Sequence, residues 1–168
     1  MIKSFFYQVM LNVWDYLQRF RLSAVRNNAI VHVIDIDNTL TIYRGDGKID
    51  HINPDARHNM IQYVRDLIDR NHKVIFLSAR DFRLWNPTIQ WLSKQNVLVS
   101  KKDVFLLPNA SAKIDFLNKL IEQNIEVNYI DDLSYNHEKG QVKLYEEVLS
   151  LINKMPLTYK GIDFIESI

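Results

Sequence analysis

The chain has 168 residues, 47% apolar and 24% charged, the size and make-up of one globular domain able to bury its own core. Its 21 Lys and Arg balance 20 Asp and Glu, which speaks against a protein that coats nucleic acid by charge. Cysteine is absent, excluding disulfides and thiolate metal sites and fitting a reducing, cytoplasmic setting.

Residues 2–24 predict an amphipathic helix with Ile2, Phe6, Val9, Val13, Leu17 and Phe20 along one stripe. Gln8, Asn12, Asp15, Gln18 and Arg19 interrupt it, so neither a signal peptide nor a bilayer-spanning helix is read here. The stripe is expected to pack on the domain's own core, the alternatives being a subunit interface or a membrane surface.

Residues 29–36 are short, β-branched and almost continuously apolar, the pattern of a buried strand. A polar turn follows, and Pro54, with Asn53 as cap, predicts the start of a helix whose buried face is Met60, Ile61, Val64, Leu67 and Ile68. Further strands are predicted at 73–77, 103–107 and 126–130, with helices at 86–95, from Ser111 as cap with Ile114, Leu117, Leu120 and Ile121 on it, and over about 135–153. The tail at 156–168 carries no readable chemistry. Strands alternating with helices predict an α/β fold, a single Rossmann-like open parallel sheet with helices on both faces. One domain is read over 1–168, its core at about 29–155.

Ligands of such sheets bind beyond the carboxyl ends of the strands. Those ends carry Asp35-Ile36-Asp37-Asn38-Thr39, then Ser78-Ala79-Arg80, then Asp131-Asp132, with Lys113 in the first turn of a helix. Asp35 and Asp37 alternate onto one side, where two carboxylates can take separate roles. Adding Asp131 or Asp132 gives an all-oxygen site suited to Mg²⁺, which would offset repulsion between a carboxylate nucleophile and a phosphate. Asp is a known nucleophile in phosphoryl transfer, and Lys113, Ser78 and the turn amides at 36–39 can hold phosphate oxygens.

These residues carry a family resemblance. The chain resembles the haloacid dehalogenase superfamily of aspartate-nucleophile phosphatases over about 30–135: Asp35–Thr39 match its Asp-x-Asp-x-Thr motif, Ser78 its second motif, Lys113 its third and Asp131-Asp132 its acidic fourth. The resemblance implies Asp35 as nucleophile and Asp37 as the acid that protonates the leaving group and then the base that activates water. It implies Mg²⁺ on Asp35, the backbone carbonyl of Asp37 and Asp131, with Asp132 assisting and Thr39 supporting the loop. Phosphate contacts are then assigned to Asn38, Thr39, Ser78, Ala79 and Arg80. Two departures are Asn38 and Ala79, where relatives often have Gly; Asn still tolerates an unusual turn.

The intervals 38–77 and 79–112 are filled by ordinary elements, leaving no room for an inserted cap domain of ~50 residues. A capless site accepts a large substrate or is closed by a second copy, so a homo-oligomer is an open expectation. Tyr43, Arg44 and Asp46 are read as a lip over the site. His32 is read as a hydrogen-bonded core residue, and His51, His58, His72 and His137 show no metal-ligand spacing. The leading function is a phosphatase acting on a phosphorylated small molecule such as a sugar phosphate. The alternatives are a polynucleotide 3′-phosphatase, using a basic track of Arg80, Arg83, Lys101 and Lys102, and a non-enzymatic binding module.

Overall fold

The computed structural model describes residues 9–10, 13–14, 16–17, 30–43, 50–135, 137 and 141–168. Five parallel strands form the central sheet: β1 (Ile30–Ile34), β4 (Lys73–Ser78), β5 (Val104–Leu106), β6 (Glu126–Ile130) and β9 (Thr158–Lys160), in the order β5-β4-β1-β6-β9. Two short antiparallel ribbons complete the strands: β2 (Thr41–Ile42) with β3 (Asp55–Ala56), and β7 (Ser134–Tyr135) with β8 (Lys143–Leu144).

The helices are α1 (His58–Asp69), α2 (Trp85–Lys94), α3 (Ala112–Ile121), α4 (Glu146–Ile152) and α5 (Ile162–Ser167). Strand residues alternate between two cores. Val31, Val33, Leu77 and Val127 face a cluster completed by Phe116, Leu117 and Leu120 of α3 and by Val148 and Ile152 of α4. Ile34, Phe76, Leu106 and Ile130 face the other, completed by Met60 and Val64 of α1, Trp91 and Leu92 of α2, and Ile165 of α5. Helices therefore cover both faces, and no cap domain appears among the described residues.

The topology positions the site. From β1 the chain steps outward to β4 and β5, then returns to β6 on the other side of β1. The order reverses at the β1–β6 pair, and a crevice opens at the carboxyl ends of strands where that happens. Asp35 N–H donates to the Ile130 carbonyl at 2.9 Å, so the pairing runs on one step past β1 and fixes the first carboxylate beside the end of β6.

Several expectations are corrected. The helix predicted from Pro54 begins at His58, because Asp55–Ala56 pair with β2 and Arg57 N–H is held by the Leu40 carbonyl at 2.7 Å. The cap of α3 comes from Asn109, whose Oδ1 accepts from Ala112 N–H at 3.0 Å, rather than from the Ser111 hydroxyl. The long helix read over 135–153 shortens to α4, since Ser134–Tyr135 and Lys143–Leu144 pair as a ribbon. The tail beyond 155 supplies the fifth strand and α5, so the core extends past its expected end.

The predicted N-terminal helix lies mostly outside the described residues; those described between 9 and 17 are helical. Val9, Val13 and Leu17 of the proposed stripe are exposed. Trp14 docks instead: its Nε1 donates to the Leu106 carbonyl at 3.0 Å, and its ring meets Phe82 and Trp85. His32 is buried as read, but among the described residues its Nδ1 has no hydrogen-bond partner, and its ring stands edge-on to His72.

Candidate functional site

A cleft of about 350 Å³ opens at the carboxyl ends of the strands, lined among others by Asp35, Asp37, Asn38, Ala79, Arg80, Lys113, Asp131 and Asp132. The two carboxylates of the first loop are held by different cations. Lys113, reaching in from the first turn of α3, donates to Asp35 Oδ1 at 2.7 Å and to Asp131 Oδ2 at 2.6 Å. Arg80, just past β4, grips Asp37 with Nε on Oδ2 at 2.7 Å and Nη2 on Oδ1 at 2.8 Å. The Ser78 hydroxyl donates to the same Oδ2 at 2.7 Å, and Tyr43 donates to Oδ1.

A tight turn makes this separation possible. Asn38 has φ 60°, the left-handed region that Asn tolerates better than most residues. Its N–H donates to Thr41 Oγ1 at 2.9 Å, which closes the turn between Asp37 and β2.

Around Asp131 the support is dense. Tyr129, two residues earlier on the same strand face, donates to Oδ2; Leu133 N–H donates to Oδ1 at 2.8 Å; and Tyr159 from β9 donates to the Asp131 carbonyl at 2.9 Å. Asp132 accepts from the Asn38 amide at 3.2 Å, from Thr39 Oγ1 at 3.3 Å and from Ser134. His137 stands behind it, 2.6 Å from Ser134 Oγ.

Oxygens of Asp35, Asp131 and Asp132 lie within 4.8 Å of one another, and all three residues are buried. Three carboxylates against one lysine form an oxygen-only donor set short of positive charge, which suits a hard cation. Burial, and after it the neighbouring Asp131, push the Asp35 carboxyl well above the usual carboxylate range, against the pull of Lys113. Burial likewise raises Asp131. Asp37 goes the other way. Burial would raise it, but the Arg80 guanidinium, with hydrogen bonds from Arg80 and Tyr43 and with His51 Nδ1 3.8 Å from Oδ1, holds it well below that range.

All ten residues named from the sequence converge on this edge, but not all face the cleft. Thr39 and Ser78 are fully buried and do not line it; Thr39 braces Asp132, and Ser78 braces Asp37. Arg83 pairs with Asp81 at 2.8 Å. Of the lip, Tyr43 lines the cleft, while Arg44 and Asp46 lie outside the described residues. Sequence reading missed Thr88, whose hydroxyl accepts from Arg80 Nη1 at 3.1 Å, and also His51, His137, Tyr145 and the Tyr129–Tyr159 brace. Tyr129 alone left a signal, by sharing a strand face with Asp131.

Residues 32–151 match the profile of the PITM 1-3, LNS2 domain family. The chain belongs to that family. Asp35, Asp37, Ser78, Lys113 and the Asp131-Asp132 pair all fall within the LNS2 match. No curated protein matches the sequence. Among solved structures, the LNS2 fold superposes on a chain of the Pnkp1/Rnl/Hen1 complex with TM-score 0.56 and 15% identity. That match covers 80% of this chain but 46% of the other, so the LNS2 domain spans about half of its structural neighbour. A protein from Bacillus subtilis described as a p-nitrophenyl phosphatase aligns at 18% identity and TM-score 0.33, over 79% of this chain and 42% of that one. Among the described residues, no helix is long and apolar enough to cross a membrane.

Proposed function

We propose that this LNS2 domain is a phosphomonoester hydrolase of the haloacid dehalogenase type, acting through an aspartyl-phosphate on Asp35 with Mg²⁺ as cofactor. The observation that carries the reading is the buried Asp35–Asp131–Asp132 triad beside a second carboxylate, Asp37, that has its own cation. Asp35, Asp131 and Asp132 would hold the Mg²⁺ ion, which when bound supplies the positive charge that lets an anionic phosphate approach a carboxylate.

Lys113 fixes Asp35 through Oδ1, leaving the other oxygen to attack phosphorus. The Asp35–phosphorus bond forms as the bond to the leaving oxygen breaks, and Asp37 gives that oxygen a proton. In the second half-reaction Asp37 takes a proton from water, which attacks phosphorus and frees Asp35. Asp37 is poised in the state the second half needs, ionised and gripped by Arg80 and Ser78. Arg80, which lines the cleft, is also a donor assigned to the phosphate. An arriving phosphate therefore competes for it, and as the guanidinium turns to the phosphate oxygens Asp37 loses the cation that keeps it unprotonated. Asn38 and Ala79, both on the cleft wall, bound the space for the phosphate.

The substrate is read as a small phosphorylated metabolite of the sugar-phosphate class. Arg80 is buried at the wall of the cleft and Arg83 pairs with Asp81, so the two arginines do not form one surface track for a polynucleotide end. The test is phosphate release from a panel of phosphomonoesters with Mg²⁺, using Asp35→Asn as the blank. Metal-dependent release absent from the blank supports the reading; release retained by Asp35→Asn overturns it.

A further inference from the structure

A second groove, of about 690 Å³, runs away from the catalytic cleft and shares two of its walls, Tyr135 and Tyr145. Their rings lie 4.6 Å apart and 34° from parallel, a tilted stack at the point where cleft and groove meet. Val142 and Leu144 extend the wall as exposed apolar side chains, and Tyr135 is itself 38% exposed. Catalysis as derived above uses none of these residues.

Resting on the phosphatase reading, we propose that this groove is the leaving-group subsite and takes a planar ring, so that the preferred substrate is a sugar phosphate bearing a nucleobase. Continuity decides where the leaving group goes: with phosphorus at Asp35, the ester oxygen and its substituent must leave the cleft, and Tyr135 and Tyr145 line both the cleft and the open groove beside it. Chemistry decides what fits. A tilted tyrosine pair with one exposed member offers a face on which a further ring can stack. Ser111, Lys143, Glu146 and Glu147 supply hydrogen-bonding groups around the same groove. A ring edge with nitrogen and oxygen atoms can satisfy such groups, whereas a long aliphatic body would strip them of water without return.

The test compares adenosine 5′-monophosphate with ribose 5-phosphate, which share leaving-group chemistry and differ in the base. We expect kcat/KM about tenfold higher for the nucleotide, within the range that stacking a base on an aromatic side chain is worth. Tyr135→Ala should remove that preference and leave ribose 5-phosphate turnover unchanged, while Tyr135→Phe, which keeps the ring, should retain it. Equal turnover of the two substrates by the wild-type protein, or a preference that survives Tyr135→Ala, overturns the subsite. So does a higher kcat/KM for octyl phosphate than for the nucleotide, which would assign the groove to an aliphatic body. Calorimetric binding of both compounds to Asp35→Asn reads the subsite separately. Tighter nucleotide binding with no turnover by the wild type would overturn the phosphatase reading and leave the ring site standing; equal binding overturns the ring site.

Discussion

Arg80 and Asp37 form a two-point fork, Nε to Oδ2 at 2.7 Å and Nη2 to Oδ1 at 2.8 Å, with the arginine side chain 1% exposed and the carboxylate 26% exposed. Thr88 anchors the third corner of the guanidinium from inside α2. The pair lies between a surface salt bridge, worth little, and a fully buried one, where removing one partner is costly.

Arg80→Gln should therefore lower stability by about 2 kcal/mol, read by urea denaturation. Asp37, relieved of its cation, should become easier to protonate. In the folded protein Asp37 stays ionised below the usual 3.8, whereas the unfolded chain takes up a proton there. The fork thus contributes stability above that pH that fades as the solution is acidified through the folded value. The acid limb of the unfolding curve should flatten in Arg80→Gln, and an unchanged limb would refute the pairing.

Asp37→Asn should slow turnover of alkyl phosphates by roughly 10²- to 10⁴-fold, the usual range for general acid catalysis. Aryl phosphates, whose leaving group needs less protonation, should suffer less. Equal slowing of both, in steady-state assays, would remove the acid role from Asp37.

The acidic triad predicts a pH-dependent response to metal. Asp35 and Asp131 are raised above the usual 3.8, so the folded metal-free protein binds protons that the unfolded chain has released. Its stability should fall as pH rises above that value. Added Mg²⁺ offsets the repulsion, so the gain in Tm on adding Mg²⁺ should grow from about pH 5 to about pH 8. Asp131→Asn should raise the metal-free Tm and shrink that gain. Differential scanning fluorimetry with and without chelator checks both.

His32 offers a test away from the site. Burial, then His72 and Lys160, lower its pKa from 6.5, and its buried Nδ1 has no partner among the described residues. The unfolded chain therefore binds a proton near pH 6 that the folded chain resists, and stability falls on acidification. His32→Leu should gain about 1 kcal/mol at neutral pH by removing the unsatisfied nitrogen. It should also lose less stability below about pH 6; guanidinium unfolding at two pH values measures it.

Local pattern determined much of this protein. Continuous β-branched runs such as Ile30–Ile34 and Lys73–Ser78 can be satisfied only between helical layers, so the parallel sheet was legible before any coordinate. Because ligands of such a sheet meet its carboxyl edge, Asp35, Asp37, Asp131 and Asp132 could be gathered from strand ends and Lys113 from the first turn of the helix that follows β5. Tertiary structure decided which charge pairs with which. Arg80 pairs with Asp37, and Lys113 bridges Asp35 and Asp131, because of where β4 and α3 sit beside β1. The ribbon of Ser134–Tyr135 with Lys143–Leu144 and the strand Thr158–Lys160 escaped the sequence because each is two or three residues long. Such segments carry too little periodicity to register, and their conformation comes from hydrogen bonds to partners distant in the chain. The same holds for the groove beside the cleft, which exists only once that ribbon has folded Tyr135 against Tyr145.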